Sequence, residues 1–228
     1  MQIYSALAIV QFGLILLITP AQTAGAISGE REKQTLELLL STKISSFGII
    51  FGKLISSMSY ILLLIVTSIP LFSLVFLFGG VTPGDMMKLF LFYIITAFAV
   101  GSIGIFYSTL FRRTVMSTVV TYLTMFLLGL VSVILGIYIM TVQYNGPGNP
   151  GIPFILYINP AVGLTDILVT EPGGFRSVLG VYTTGAAGDF WIHNSIVMLT
   201  VAAILLLISV YKINPVGYSG RRKGKGRK

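Results

Sequence analysis

Apolar runs long enough to cross a bilayer recur five times along the chain, at residues 3–24, 49–78, 89–111, 115–140 and 190–211. A membrane-spanning helix needs about 20 apolar residues, at a rise of about 1.5 Å each, to cross about 30 Å of hydrocarbon. Each run therefore predicts one spanning helix. The first belongs to a stretch, residues 1–29, with no charged residue, and Pro20 is expected to kink its inner end. It lacks the basic start and short apolar core of a cleaved signal peptide, so it is read as a permanent helix. Lys53 interrupts the second run near its start, and Pro70 is expected to kink or end it.

Between the first two runs the pattern changes. Glu30, Arg31, Glu32 and Lys33 follow one another, and from Leu36 the apolar residues fall at Leu36, Leu39, Leu40, Ile44 and Phe47. Spacings of three and four put these on one stripe of a helix whose other side carries Arg31, Glu32, Lys33 and Glu37. This predicts an amphipathic helix outside the bilayer core. Ser28 or Gly29 would cap its start, Glu30 and Glu32 would lie at the positive end of the helix dipole, Lys43 near the negative end, and Lys33 one turn from Glu37. On pattern alone it is either a linker helix on the lipid surface or a docking helix for a partner.

The one long connection, residues 141–189, is expected on the outer side. Residues 143–153 are rich in Gly, Pro and Asn and read as turns. Asn159 followed by Pro160 predicts a helix N-terminus, with a short helix to about Val169. Glu171, Pro172, Gly173 and Gly174 then break it, and residues 175–182 form a candidate second short piece.

Composition fixes the class. Of 228 residues, 55% are hydrophobic and 10% charged, and the mean hydropathy is +0.92, whereas soluble domains carry about 25% charged residues. The expected architecture is an all-α polytopic membrane domain over residues 1–214, with a basic tail over 215–228. Cysteine is absent and His193 is the single histidine, so neither a disulfide framework nor a cysteine or histidine metal cluster can be built. The net charge of +8 follows membrane topology rather than nucleic-acid binding. The loop 28–48, Arg112, Arg113, Lys212, the tail and Lys53 together hold thirteen basic residues against three acidic, while the other side holds Lys88 and Arg176 against four acids. By the positive-inside rule, loop 28–48 and the C-terminus are cytoplasmic and the chain starts outside. The tail, Arg221, Arg222, Lys223, Lys225, Arg227 and Lys228, suits anionic lipid at about 1 kcal/mol per basic residue.

The chain carries no catalytic constellation. Gly52 and Lys53 lack the upstream glycine of a phosphate loop and open an apolar span, and the span cores hold no Asp, Glu, Lys, Arg or His, the default markers of proton relays. Uphill transport by this chain would draw its energy from a partner. Ser56, Ser59 and Thr67, with Ser57 and Ser68, form a polar streak on the second span that either lines a path or bonds backbone carbonyls. Ala97 with Gly101, and Ser132 with Gly136, have the small-xxx-small spacing of close helix contact, read first as packing within the chain. His193 beside Trp191 reads as interfacial-belt chemistry ahead of a ligand or gate.

Gly29, Glu30, Arg31 and Glu32, then residues 35–42 (Thr-Leu-Glu-Leu-Leu-Leu-Ser-Thr), then Gly52, Lys53 and Leu54, resemble the signature of type-2 ATP-binding-cassette (ABC) exporter permeases. Lys43 departs from it, standing where such permeases often carry proline. The resemblance implies that loop 28–48 contains a coupling helix docking on an ATPase subunit through Glu30, Arg31, Glu32, Lys33, Thr35, Leu36, Glu37, Leu39 and Leu40. It further implies that ATP and Mg are bound in that partner rather than here, that a second permease subunit, identical or sister, completes the assembly, and that the protein sits in the cell membrane. The family has six spans, so five here implies a missing first span, a span supplied by another chain, or a five-span member. The alternative is a non-transporting anchor or assembly protein that recruits a soluble partner through the same helix. An apolar path without fixed charge suits lipids, hydrophobic peptides, drugs or polymers alike.

Overall fold

A computed structural model describes residues 2–36, 45–77, 81–144, 153–168 and 190–213. Expectations placed on Glu37, Leu39, Leu40, Lys43 and Ile44, on residues 145–152 and 169–189, and on the basic tail lie outside the described residues. The described residues are helical or in turns, with no strand. The elements are α1 (Gln2–Thr23), α2 (Ser28–Glu32), α3 (Ser46–Leu77), α4 (Pro83–Leu110), α5 (Thr114–Tyr144), a 3-10 turn (Phe154–Ile158), α6 (Pro160–Leu168) and α7 (Phe190–Ile213). The five expected spans are the five long helices α1, α3, α4, α5 and α7.

Helix α4 is the axis of the bundle. In its most apolar window 61% of residues are buried, against 17% for α5 and 22% for α3, so α4 packs on neighbours all round while α3 and α5 keep broad apolar faces outward. It touches every other long helix. Its start is fixed locally: Thr82 Oγ1 accepts from the Asp85 N–H at 3.2 Å, the Asp85 carboxylate accepts from the Thr82 N–H at 3.3 Å, and Pro83 occupies the first turn. This capping box carries the helix out ahead of Leu89, where the apolar run begins.

Cross-helix contacts give the direction of each span. Tyr93 Oη donates to the Ala8 carbonyl at 2.8 Å, and Gly101 lies near Thr19 and Gly104 near Thr23, so α1 runs parallel to α4. Leu54 meets Gly101 whereas Phe72 meets Phe90, so α3 runs antiparallel. Thr124 bonds Tyr107 from an antiparallel α5, and Phe92 and Ala99 lie level with Asn194 and Met198 of a parallel α7. One end of the bundle therefore gathers α2, Lys53, Arg112, Arg113 and Lys212. It is the basic end.

Neither proline ends its helix. Both α1 and α3 continue through Pro20 and Pro70. In the turn before Pro20 the Leu17 carbonyl accepts the Tyr122 hydroxyl from α5. The small residues are spent within the chain: Gly101 faces Leu54 and Thr23, Gly136 faces Leu156, and Ser132 Oγ accepts from Asn159. At the end opposite the basic one, the Asn159 side chain accepts from the Ala161 N–H at 2.9 Å and so caps α6, while the Asp166 carboxylate accepts from the Trp191 N–H at the start of α7.

Candidate functional site

The charged motif at residues 30–33 lies on α2, a single turn of helix that follows the turn at residues 24–27 and stands beyond the apolar part of the first span. Its start is not capped locally. Ser28 Oγ donates backwards to the Ala24 carbonyl at 3.1 Å, and the N-cap position is Ile27, which has no side-chain cap. The cap comes from α4: Ser108 Oγ accepts from the N–H groups of Ile27 at 2.8 Å and Ser28 at 2.9 Å. The capping role expected of Ser28 or Gly29 is thus filled by a residue about 80 positions away.

The end of α2 corrects a second expectation. A continuous amphipathic helix through Leu36 is not formed, because Gln34 turns left-handed at φ 58°. The Gln34 N–H donates to the Arg31 carbonyl at 3.2 Å and the Thr35 N–H to the Glu30 carbonyl at 2.9 Å. These two bonds are those of a Schellman motif, which closes a helix by satisfying its last carbonyls. Phe47, expected on the same stripe as Leu36, belongs instead to α3 and is exposed.

The consecutive charges then point at three different spans. Lys53 Nζ of α3 lies 2.6 Å from Glu30 Oε1, and the Thr35 hydroxyl also donates to Glu30. The Arg31 guanidinium donates to the carbonyls of Phe111 at 3.3 Å and Thr109 at 3.5 Å, at the C-terminal end of α4. The Glu32 carboxylate accepts from the Thr114 N–H at 3.0 Å and hydroxyl at 2.6 Å, at the first turn of α5. Cation at a helix C-terminus and anion at a helix N-terminus both match the helix dipoles. The hydrogen bond from Lys53 holds the Glu30 carboxyl below its ordinary range, with Thr35 adding to it, and the Thr114 bonds do the same for Glu32.

Of the residues proposed for docking, Glu30, Arg31, Glu32 and Thr35 make these contacts within the chain. Lys33 is exposed, and Leu36 is buried in the main apolar core with Ile27, Ile50 and Leu54. On the streak of α3, the hydroxyls of Ser59 and Thr67 donate to carbonyls three residues back, and Ser56, Ser59 and Thr67 are all exposed on this chain. Beside α2 a polar cavity of about 260 Å³ opens between the end of α1 and α3, with Gln22, Lys33, Ser56 and Ser57 in its wall alongside Glu30 and Lys53. Among the described residues no group of three or more His, Cys, Asp or Glu side chains could hold a metal ion.

The profile of a family described as ABC-2 family transporter protein matches residues 2–211. The chain belongs to this family. That match takes in all five spans, α2 and the connection before α7, so the ABC-2 transporter fold is essentially the whole described chain. An ABC-2 chain is the membrane-spanning subunit of a transporter, here a multi-pass one, and such subunits normally work with an ATP-binding subunit. A comparison with curated proteins finds no match.

Sequence reading missed the partners of the ABC-2 loop: Lys53, Ser108, Thr114 and the carbonyls ending α4. One signal was available. The short connection at residues 111–113 lies on the same side of the membrane as residues 30–33, so its free helix ends were candidates for the motif's charges.

Proposed function

We propose that this ABC-2 subunit is the permease half of an exporter, and that a separate subunit binding ATP and Mg docks on loop 28–48 and drives it. Two permease subunits, identical or sister, complete the translocation unit. The basic end faces the cytoplasm of the cell in which this membrane is the outer boundary, as the positive-inside count over the sequence favours. One observation supports the reading above all. The loop begins with a turn of helix fastened to α3, α4 and α5 at once, so a load applied to the loop is delivered to three spans rather than to one.

The same observation determines how docking must be tested. Scrambling residues 30–42 would destroy the contacts of Glu30, Arg31 and Glu32 along with any docking surface. Glu37, Leu39 and Leu40 are an acid and two leucines of the kind a partner groove accepts, and replacing them leaves the identities of Glu30, Arg31 and Glu32 unchanged. The intact chain in detergent is expected to co-purify with an ATPase carrying a phosphate loop. The variant Glu37→Lys/Leu39→Ala/Leu40→Ala should remain monodisperse and lose at least about tenfold of that capture, the effect of 1.4 kcal/mol. Equal capture by the variant would remove the docking assignment, and no capture by the intact chain would favour a non-transporting anchor.

A further inference from the structure

Helix α2 is attached very unequally to its neighbours. Toward α4 and α5 the contact is close and built largely on backbone: Ser108 takes two N–H groups, Arg31 sits on the carbonyls ending α4, Glu32 holds Thr114, and a Cβ on Gly25 would touch the Thr114 methyl at 3.0 Å. Toward α3 the polar cavity intervenes. Lys53 is the only charged residue of α3, and its bond to Glu30 is the one ion pair that can cross from α2 to α3. Below it, Ser57 donates to the Gln22 carbonyl at 3.2 Å, and the buried Leu54 packs against Gly101, an apolar contact with no hydrogen bond in it.

We infer that Lys53 is a positioning residue, and that the Glu30–Lys53 pair is a releasable latch holding the basic end of α3 against the unit formed by α2, α4 and α5. The pair is suited to release rather than to stability. Its side chains are 34% and 25% exposed, both residues line an open polar cavity whose side chains can solvate the charges when they part, and partly exposed ion pairs contribute little to folding. Helix α3 also leads directly out of loop 28–48, so a pull on the loop acts on the one helix that the charges of α2 hold by this pair alone, beside the apolar packing of Ile27 and Leu36 on Ile50 and Leu54. Releasing it widens a cleft that already carries the polar side chains Gln22, Ser56 and Ser57. The use of this opening in transport rests on the permease reading above; the latch itself does not.

The test needs neither partner nor substrate. The chain has no cysteine, so spin labels can be placed at Ile55→Cys on α3 and Val115→Cys on α5, both exposed, at 57% and 71%. Distances are read by pulsed electron resonance in lipid nanodiscs. The parent is expected to give one dominant distance. Glu30→Gln should raise the population at longer distance roughly two- to fivefold, the range that a surface ion pair commands. Lys53→Glu, which sets two like charges together, should raise it further, and Glu30→Lys/Lys53→Glu should restore the parent distribution. A lysine that merely sets topology or reaches the lipid surface would not respond to its partner's charge. Indistinguishable distributions in the parent, Glu30→Gln and Lys53→Glu would overturn the latch, as would failure of the charge swap to restore the parent. If Lys53→Glu does not insert, Glu30→Gln alone decides by the same criterion. A failed ATPase capture leaves this result standing, and a failed latch leaves the capture result standing.

Discussion

Gly104→Ala is expected to lower the thermal stability of the detergent-solubilised chain by roughly 1–3 kcal/mol, the range of overpacked cores, and Gly104→Leu to prevent α1 from seating on α4 at all. A Cβ at position 104 would collide with the Thr23 hydroxyl, lie 2.9 Å from the Thr23 Cβ and come within 3.2 Å of the Ala24 nitrogen. The last two atoms are not flexible ends that can swing aside. Threonine is stiff about χ1 in a helix, and the Thr23 hydroxyl is already committed to the Thr19 carbonyl at 2.8 Å. The backbones themselves must part, and they part where α1 delivers the chain into α2. Gly129 supplies the control. Nothing lies within 4 Å of a Cβ there, so Gly129→Ala should be neutral or gain up to about 1 kcal/mol from helix propensity. Melting both variants by size-exclusion thermostability separates a steric loss from a general intolerance of glycine replacement.

Asn194→Leu should release the outer helices from the bundle. Asn194 is fully buried, and its Nδ2 donates to the carbonyls of Tyr157 at 2.8 Å and Asn159 at 3.0 Å. Asn159 in turn donates through its Nδ2 to Ser132 Oγ at 2.8 Å and the Gly129 carbonyl at 3.1 Å on α5. The two amides tie the 3-10 turn and α6 to both α5 and α7. Leucine at 194 has similar bulk but no donor, leaving two carbonyls that each cost about 1–3 kcal/mol when buried without a partner. Asn194→Asp should be worse, since it puts a carboxylate against the same two oxygens. Trp191 is the only tryptophan, and its backbone N–H is held by Asp166 of α6, so freeing α6 should expose the start of α7 and shift the emission to the red in both variants. An unchanged spectrum and melting point would show that α6 is held by apolar contact alone.

The spans were legible because lipid demands long apolar runs and because basic residues mark one side, and both signals are local or additive along the chain. The short helix after Asn159 was legible for a related reason: the cap and the proline that start it are written in adjacent residues. The charged motif was legible as a functional stretch and not as a geometry. Its partners Ser108, Thr109, Phe111 and Thr114 lie about 80 residues away, beyond the reach of any periodicity. Phe47 fell into the stripe that starts at Leu36 although it belongs to α3, which begins at Ser46, because a repeat of three and four does not register where a new helix begins. Gln34 hid the end of α2, since a left-handed cap is announced by glycine or asparagine far more often than by glutamine.

The measurement that tests the account most directly is the thiol-labelling rate of single cysteines at Ser56, Ser59 and Thr67, in the chain bound to its captured ATPase in nanodiscs, with and without ATP, Mg and vanadate. All three side chains are exposed on the isolated chain, and Ser56 lies in the wall of the cleft. Nucleotide is predicted to change the rate at Ser56 most, and to leave a distant control such as Ile3→Cys, 70% exposed at the opposite end of the bundle, unchanged. Identical rates at all three positions, in a complex that demonstrably hydrolyses ATP, would contradict the permease account and leave the chain as a membrane anchor for its partner.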